Sequence, residues 1–269
     1  MNTSTNPDRG QIVASAAEIY QEFFVPALFG QWPPTVLHAG AVRRGDTVLD
    51  VGCGTGVLTR AATERVTDAG RVAAIDVNEE MLAVAARAPD PVDWKLAPAE
   101  DLPFDDDSFD RVVSQFAIMF FDDRSAATAE MARVARPGGT VTVATWARVE
   151  DSPGYAAMVD LVERLFGHEA AGALLAPFAI GTAEQLHSVM AETFDEVTVT
   201  RHDGIARFDS LADWVHTDIR GWTLAELIDD DQYAELQAAA PHALSRFVDD
   251  TGRVTFAAPA LVATATTVS

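Results

Sequence analysis

The sequence predicts an α/β fold in which a mostly parallel β-sheet is covered by helices on both faces. Two observations predict it. From about position 47 to position 146, short apolar runs alternate with stretches whose apolar residues recur at helical spacing. The first apolar run also ends in a glycine-rich turn that opens a helix. We therefore expect the helices to cross over between parallel strands in the right-handed sense.

Five strands and three helices of this core can be placed in order. Each predicted strand is short, apolar and bounded by turn residues. The predicted strands are Thr47 to Val51, Arg71 to Asp76, Val92 to Ala97, Phe109 to Gln115 and Gly139 to Trp146. The predicted helices are Gly56 to Thr67, Glu79 to Arg87 and Ser125 to Val134.

The rhythm changes after the fifth strand. Ser152-Pro153 is typical of a helix start and predicts a helix to about Phe166, and Thr182 to Gln185 has the spacing of a capping box. The remaining predicted elements are strands Phe194 to Phe208 and Arg253 to Thr267, and helices Leu211 to Arg220 and Asp231 to Val248. The sheet then has seven strands, and we expect the last to run antiparallel at or near the edge.

The chain divides into three predicted segments that form a single compact unit. Residues 1–44 are a helical lid, in which an apolar-faced helix from Ile12 to Phe29 is punctuated by Pro26. Residues 45–150 are the ligand-binding core. Residues 151–269 hold helical cap insertions and the last two strands.

Composition restricts the partners. The formal charge is 19 − 41 = −22 and the pI is near 4.4, so phosphate backbones and anionic membrane surfaces would repel the chain, which argues against nucleic-acid substrates. No apolar run approaches the roughly 20 residues that span a bilayer. We expect a cytoplasmic protein without membrane insertion.

Cys53 is the single cysteine and no cluster has zinc-ligand spacing, so we expect no metal. Whether the chain forms a homo-oligomer stays open.

The glycine-rich turn points to the ligand. Val48 to Gly56 reads VLDVGCGTG, a buried strand that ends in an acid and runs into G-x-G-x-G. A dinucleotide site, the alternative, uses G-x-G-x-x-G. Asp50 beside the loop would oppose a pyrophosphate but suits an ammonium group, so the motif favours a methyl donor with an amino-acid tail.

A second acid ends the next predicted strand. Asp76 lies 20 residues beyond Gly56, where a carboxylate can accept hydrogen bonds from both ribose hydroxyls of a nucleoside. Nicotinamide enzymes share this feature, so it indicates a ribose without naming the cofactor. The alternative is a solvated acid at a strand end.

Several motifs in order resemble the class I S-adenosylmethionine-dependent methyltransferases, and within them the ubiquinone/menaquinone-biosynthesis type (the methyltransferase type 11 group). The resemblance covers about residues 45 to 146 and rests on VLDVGCGTG, AIDVNEEML, PAEDLPFDDDSFD, VVSQFAIMFF and VARPGGTV. It implies a Rossmann-like fold, S-adenosyl-L-methionine as cofactor, S-adenosyl-L-homocysteine as product, and in-line methyl transfer to a small organic acceptor.

The resemblance also implies roles for individual residues. Glycines 52 and 54 would pack on the methionine part of the cofactor, Asp50 would fix its ammonium group, and Asp76 would hold the ribose diol. The full implied cofactor site is Tyr20, Asp50, Gly52, Gly54, Thr55, Asp76, Val77, Met81, Ala99, Glu100, Gln115 and Phe116. Of these, Val77 and Met81 would sandwich the adenine, Ala99 would meet its edge, and Gln115 and Phe116 would line the wall near the reacting methyl.

One departure from the family pattern concerns the adenine. The family usually has Gly-Asp before Ala-Glu, whereas this chain has Ala97-Pro98. The aspartate that would accept a hydrogen bond from the adenine amino group is therefore missing. Either Glu100 replaces it or the contact is lost.

The acceptor site is less defined. Tyr20 is expected to donate its hydroxyl to the cofactor carboxylate and Phe24 to face the substrate; the alternative is that both are aromatic core residues. The expected substrate pocket comprises Phe24, Phe120, Trp146 and Trp222, and its aromatic character favours a hydrophobic or aromatic acceptor. If a general base is used, His216 is the candidate because Asp218 and Arg220 lie near it, the alternative being a partly exposed helix histidine.

Three other readings stay open at this point. An enzyme that binds the same cofactor without methylating would carry identical binding motifs, and a cofactor-less binding protein could keep the fold. A nicotinamide oxidoreductase is disfavoured by the glycine spacing. The residues do not separate O-, N- and C-methylation.

Overall fold

The strands follow the predicted apolar runs closely in the first half of the chain. The computed structural model describes residues 16–220 and 227–268. Its strands are β1 Thr47–Val51, β2 Arg71–Asp76, β3 Val92–Leu96, β4 Phe109–Gln115, β5 Ala135–Trp146, β6 Val197–His202, β7 Ile205–Phe208, β8 Val254–Ala257 and β9 Ala260–Thr266. β5 begins earlier than predicted because Ala135 still pairs with Phe109 across a register shift.

Seven of these strands form one sheet in the order β3-β2-β1-β4-β5-β9-β6. β1 to β5 run parallel to one another, whereas β9 is antiparallel to both β5 and β6. The Rossmann-like α/β architecture with an antiparallel last strand is thereby confirmed. β9 lies one strand inside the edge and β6 forms the edge.

Two long predicted strands were wrong, because each divides into two. Phe194 to Phe208 is interrupted before Ile205, and Arg253 to Thr267 is interrupted at Pro259. β7 and β8 leave the main sheet and pair with each other in a separate antiparallel ribbon. Pro259 has no N–H for a ladder, which interrupts the second run, and at Gly204 the Trp32 ring, distant in sequence, packs so closely that a Cβ would lie 2.2 Å from it.

Helices cover the sheet and extend beyond it. They are α1 Ala16–Ile19, α2 Pro33–Ala39, α3 Val57–Val66, α4 Glu79–Ala85, α5 Arg124–Val134, α6 Pro153–Phe166, α7 His168–Leu175, α8 Ala183–Ala191, α9 Leu211–Arg220 and α10 Asp230–Leu244. The predicted capping box of α8 is present, since Thr182 and Gln185 bond each other's backbone N–H. α2 and α7 were not predicted, and α10 ends at Leu244 instead of continuing to Val248.

The N-terminal segment is a wide helix. α1 continues as a π-helix from Tyr20 to Phe29, and the Gly30 N–H closes it by donating to the Val25 carbonyl at 2.7 Å. Pro26 removes one N–H from the usual ladder, which favours such an irregularity. Residues 12–15 of the predicted helix lie outside the described residues. The rings of Tyr20, Phe24 and Phe29 share one face of the π-helix and contact each other.

One hydrophobic cluster joins all three predicted segments. It includes Phe24 of the N-terminal segment, Val141 of the sheet and Trp214 of α9. The N-terminal helix and the C-terminal helices therefore pack on the same core as the sheet; the domain boundaries themselves stay a prediction. Within residues 16–220 and 227–268, no helix combines the length and apolar content needed to cross a bilayer.

Candidate active site

A cavity of about 290 Å³ opens at the carboxyl ends of β1, β2 and β4. β2 and β3 lie on one side of β1, whereas β4 and β5 lie on the other, so the order in which the strands are added reverses at β1. Open α/β sheets bind their ligands at such a point. The lining residues are Tyr20, Asp50, Gly52, Cys53, Gly54, Val57, Leu58, Ile75, Asp76, Val77, Asn78, Met81, Ala97, Pro98, Ala99, Glu100, Gln115, Phe116, Ala117, Phe120, Phe121 and Asp122. Apart from Thr55, every residue of the implied cofactor site lines this cavity.

The turn after β1 presents the main-chain atoms of glycines to the cavity. Gly52, Gly54 and Gly56 have φ values of 72°, 54° and 84°, a region that glycine tolerates best. The N–H groups of Gly52 and Cys53 both donate to the Ile75 carbonyl at 2.9 Å. These bonds hold the turn against the end of β2.

Asp50 supplies a buried carboxylate to the floor of the cavity. Its Oδ2 accepts a hydrogen bond from the Thr59 hydroxyl at 2.6 Å, while Oδ1 has no partner among the described residues. Burial raises the pKa of Asp50 to about 7; the charge of Asp76 adds to the rise and the Thr59 bond opposes it. An unpartnered buried carboxylate oxygen is costly, so it suits a cationic donor.

Asp76 is held in place by the backbone on both sides. Its Oδ2 accepts from the Gly54 N–H at 2.7 Å and its Oδ1 from the Asn78 N–H at 2.9 Å. Burial raises the pKa of Asp76, and these backbone bonds oppose the rise. Each oxygen keeps a lone pair, so the carboxylate can still accept from two hydroxyls.

Asn78 is a cavity residue that sequence reasoning missed. Its side chain caps α4 by accepting from the N–H groups of Glu80 and Met81, and it thereby places Met81 beside the cavity. An asparagine immediately before two glutamates is a helix-start signal, so the capping role of Asn78 could have been predicted from the sequence. Asp122 was also missed, and no local signal separates it from its neighbours.

The opposite end of the cavity is apolar and partly open. Val77 is 70% exposed, which is unusual for a valine and leaves its side chain free to cover a flat ligand. Glu100 accepts from the Asp123 N–H through Oε1, at 3.1 Å. That bond connects the loop after β3 with the start of α5, and it holds a carboxylate beside the position that Pro98 leaves without an acid.

Aromatic rings form the remaining wall. Tyr20 and Phe116 line the cavity, and burial raises the pKa of Tyr20 far above its ordinary value. Phe116 has a positive φ of 57° and stacks on Trp146 with ring centroids 3.9 Å apart. A strained backbone at a cavity wall is typical of functional sites.

A second, smaller cavity of about 40 Å³ lies on the other side of these rings. Its lining residues are Phe24, Leu28, Phe29, Trp146, Tyr155, Leu174, Pro177, Phe178 and Asp218. Two residues of the expected substrate pocket, Phe24 and Trp146, therefore line this cavity, whereas Phe120 lines the larger one. Trp222 lies outside the described residues.

Two further candidates line neither cavity. His216 lies with its Nδ1 3.2 Å from the Tyr233 hydroxyl and its ring against Phe23. Thr55 is buried, and its carbonyl accepts from Arg60 at 2.8 Å. The structure thus does not bring either residue to the lining of the two cavities, and their predicted roles stay untested.

The family comparison agrees with this geometry. Residues 49–143 match the family model described as a methyltransferase domain, and they include the glycine turn, Asp76 and Phe116. Residues 49–143 of this protein form a methyltransferase domain. The resemblance inferred from the motifs is confirmed.

Curated relatives match about half of this chain. The ubiquinone/menaquinone biosynthesis C-methyltransferase UbiE of Chromobacterium violaceum is 38% identical over 143 residues, which are 51% of this chain and 58% of that protein. The UbiE protein of Bordetella parapertussis is 37% identical over 141 residues, or 51% and 55% of the two chains. The chain thus spans little more than half the length of these relatives.

A solved structure shows the same fold over most of this chain. The YcgJ protein of Bacillus subtilis superposes with a TM-score of 0.59 at 18% identity, covering 89% of this chain and 99% of that one. At this level of identity the likeness shows the fold alone.

Proposed function

We propose that this protein transfers the methyl group of S-adenosylmethionine to a small hydrophobic or aromatic organic acceptor. The observation that carries the proposal is the grouping, in one cavity of a methyltransferase domain, of a glycine turn, the orphan oxygen of Asp50 and the carboxylate of Asp76. When bound, the cofactor supplies an electrophilic methyl group on a sulfonium centre.

The residues present fit this cofactor. Asp50 Oδ1 lacks a hydrogen-bond donor among the described residues, and the cofactor's ammonium group is such a donor. Asp76 is oriented by two backbone N–H groups and can accept from the ribose hydroxyls. Val77 and Met81 offer apolar surface to the adenine. We infer that Glu100 receives the adenine amino group in place of the acid that Pro98 lacks.

The aromatic wall supports the acceptor class. The rings of Phe29, Phe116 and Trp146 pack together at centroid distances of 3.9 to 5.6 Å. They exclude water from the side of the cavity that faces the C-terminal helices, and they offer flat apolar surface to an acceptor. Orientation and exclusion of water are the main contributions a protein makes to such a displacement.

Calorimetric titration tests the cofactor assignment. Purified protein titrated with S-adenosylmethionine should release or absorb heat with saturation, whereas a titration with NAD under the same conditions should not. Saturable binding of NAD alone would contradict the proposal. Mass spectrometry of reactions with a methyl-labelled cofactor and a panel of aromatic acceptors then separates methyl transfer from a non-methylating reaction.

The raised pKa of Asp50 predicts that cofactor affinity depends on pH. Only the ionised carboxylate pairs with an ammonium group, and burial places the pKa of Asp50 near 7 in the free protein. As the pH falls below 7 the carboxyl group becomes protonated, so binding must first remove that proton. We expect the affinity for S-adenosylhomocysteine to fall about tenfold between pH 7.0 and pH 5.5, measured by calorimetry.

Two variants test whether the pH dependence of cofactor affinity comes from Asp50. Asp50→Asn should bind more weakly at pH 7.0 and lose its share of the pH dependence, because an amide does not titrate. Asp68→Asn, at an exposed site outside the cavity, should keep the wild-type profile. A flat profile in the wild-type protein would contradict the role of Asp50.

A further inference from the structure

We propose that Asp218, supported by Tyr155, is the recognition group for the methyl acceptor, and that the acceptor is an aromatic ring carrying a hydroxyl group. The inference rests on the proposed methyl transfer and adds the acceptor site to it. It concerns the smaller cavity, which lies beyond the ring wall of the cofactor cavity.

The two cavities are separated by one layer of rings. Phe116 lines the larger cavity, and it stacks at 3.9 Å and 10° on Trp146, which lines the smaller one. Tyr20 lines the larger cavity, and its ring lies 5.6 Å from that of Phe24 and 5.0 Å from that of Phe29, both on the smaller cavity. A molecule in the smaller cavity is therefore one ring layer away from the cofactor cavity, and it reaches the methyl group when that layer shifts.

The smaller cavity is aromatic with one acid. Phe24, Phe29, Trp146, Tyr155 and Phe178 contribute rings to its wall. Asp218 enters from α9 and is 2% exposed. The Tyr155 hydroxyl donates to Asp218 Oδ1 at 3.4 Å, but Oδ2 has no hydrogen-bond partner in the part of the chain that the structure describes. A buried polar atom without a partner in a cavity wall is well placed to bind a ligand.

A hydroxyl is the group that fits Asp218 in either protonation state. Burial raises the pKa of Asp218 to about 8; the nearby side chains of Trp214 and Tyr155 oppose that rise, although the Trp214 indole N–H lies outside normal hydrogen-bond geometry. The other residues that line the cavity, from the π-helix, β5, α6, α7 and the turn after α7, carry no charge. A neutral carboxyl group can donate to or accept from a hydroxyl, and a carboxylate can accept from one, whereas a methyl group satisfies neither.

The cavity must widen to admit a ring. About 40 Å³ has room for only a few water molecules. Pro177 and Phe178 are half-buried, so the cavity approaches solvent beside them. We expect a ring to enter there as the side chains of Phe24 and Phe29 on the π-helix shift.

Fluorine NMR tests the proposal with two probes of nearly equal shape, 4-fluorophenol and 4-fluorotoluene. Each is titrated into wild-type protein saturated with S-adenosylhomocysteine. We expect the phenol to bind at least about tenfold more tightly, the usual value of a hydrogen bond to a charged or buried partner. Equal affinities, or no binding of the phenol, would overturn the proposal.

Two variants test whether Asp218 causes the preference for 4-fluorophenol over 4-fluorotoluene. Asp218→Leu replaces the carboxyl group by an apolar side chain of similar size and should remove the preference for the phenol. Asp160→Leu, at an exposed position of α6, should preserve it. If Asp218→Leu does not fold, the wild-type comparison of the two probes still decides.

Calorimetry with S-adenosylhomocysteine separates the two proposals. Asp218 does not line the cofactor cavity, so Asp218→Leu should bind S-adenosylhomocysteine as wild type does. Absent cofactor binding in the wild-type protein would remove the proposed function. Normal cofactor binding without a phenol preference would remove only the role of Asp218.

Discussion

Replacing Gly52 by alanine should reduce the affinity for S-adenosylmethionine by more than about hundredfold. A Cβ at this position would lie 2.4 Å from the Ala117 Cβ, far inside contact distance. The φ of 72° also disfavours any side chain. The Gly52 N–H is bonded to the Ile75 carbonyl, so the turn cannot relieve the clash without moving away from β2, which carries Asp76. Calorimetric titration measures the loss.

Gly138 offers a matched control for backbone strain. It has a φ of 75°, nearly that of Gly52, but a Cβ there would meet no atom within 4 Å. Gly138→Ala should therefore lower the free energy of unfolding by about 1 to 2 kcal/mol and leave cofactor affinity unchanged. Wild-type affinity in Gly52→Ala would show that the turn is not the cofactor's cradle.

Asp76→Ala is expected to reduce cofactor affinity about hundredfold, because two hydrogen bonds from ribose hydroxyls to a charged group are lost together. The variant also removes the acceptor for the N–H groups of Gly54 and Asn78, which loosens the turn and the start of α4. Calorimetry at pH 7 measures the effect, and circular dichroism establishes that the variant folds.

Asp68→Ala provides the comparison for Asp76→Ala. Asp68 is exposed and does not line the cofactor cavity. The Asp68→Ala variant should bind S-adenosylmethionine with wild-type affinity. If Asp76→Ala did the same, the ribose assignment would be wrong, and the cofactor would have to lie elsewhere in the cavity.

The residues proposed to bind the cofactor could be predicted because they are close in sequence. A strand, a glycine turn and the start of a helix place Asp50, Gly52 and Gly54 within one local structure. Asp76 follows from the register of β2 beside β1, where Val51 pairs with Ile75. Parallel strands bring their carboxyl ends to one edge, so each acid could be placed without knowing how the helices pack.

The residues proposed to bind the methyl acceptor were harder to predict from the sequence. On α9 the sequence drew attention to His216, whereas Trp214 and Asp218, four residues apart, share the buried face of that helix. An acid on the apolar face of an amphipathic helix is a signal for this arrangement. The choice between the two faces nevertheless depends on which face meets α6, and that contact involves residues far apart in the chain.

The sequence by itself therefore determined the parallel sheet, its glycine turn, the acids at the ends of β1 and β2, and the kinship with methyltransferases. These features depend on local backbone geometry and on periodicity within a few residues. Only the tertiary structure decided that β7 and β8 leave the sheet, that Phe24 and Trp146 line a second cavity, and that Tyr155 lies against Asp218. Those outcomes arise from packing between distant segments, because each buried face must find a complementary partner in three dimensions.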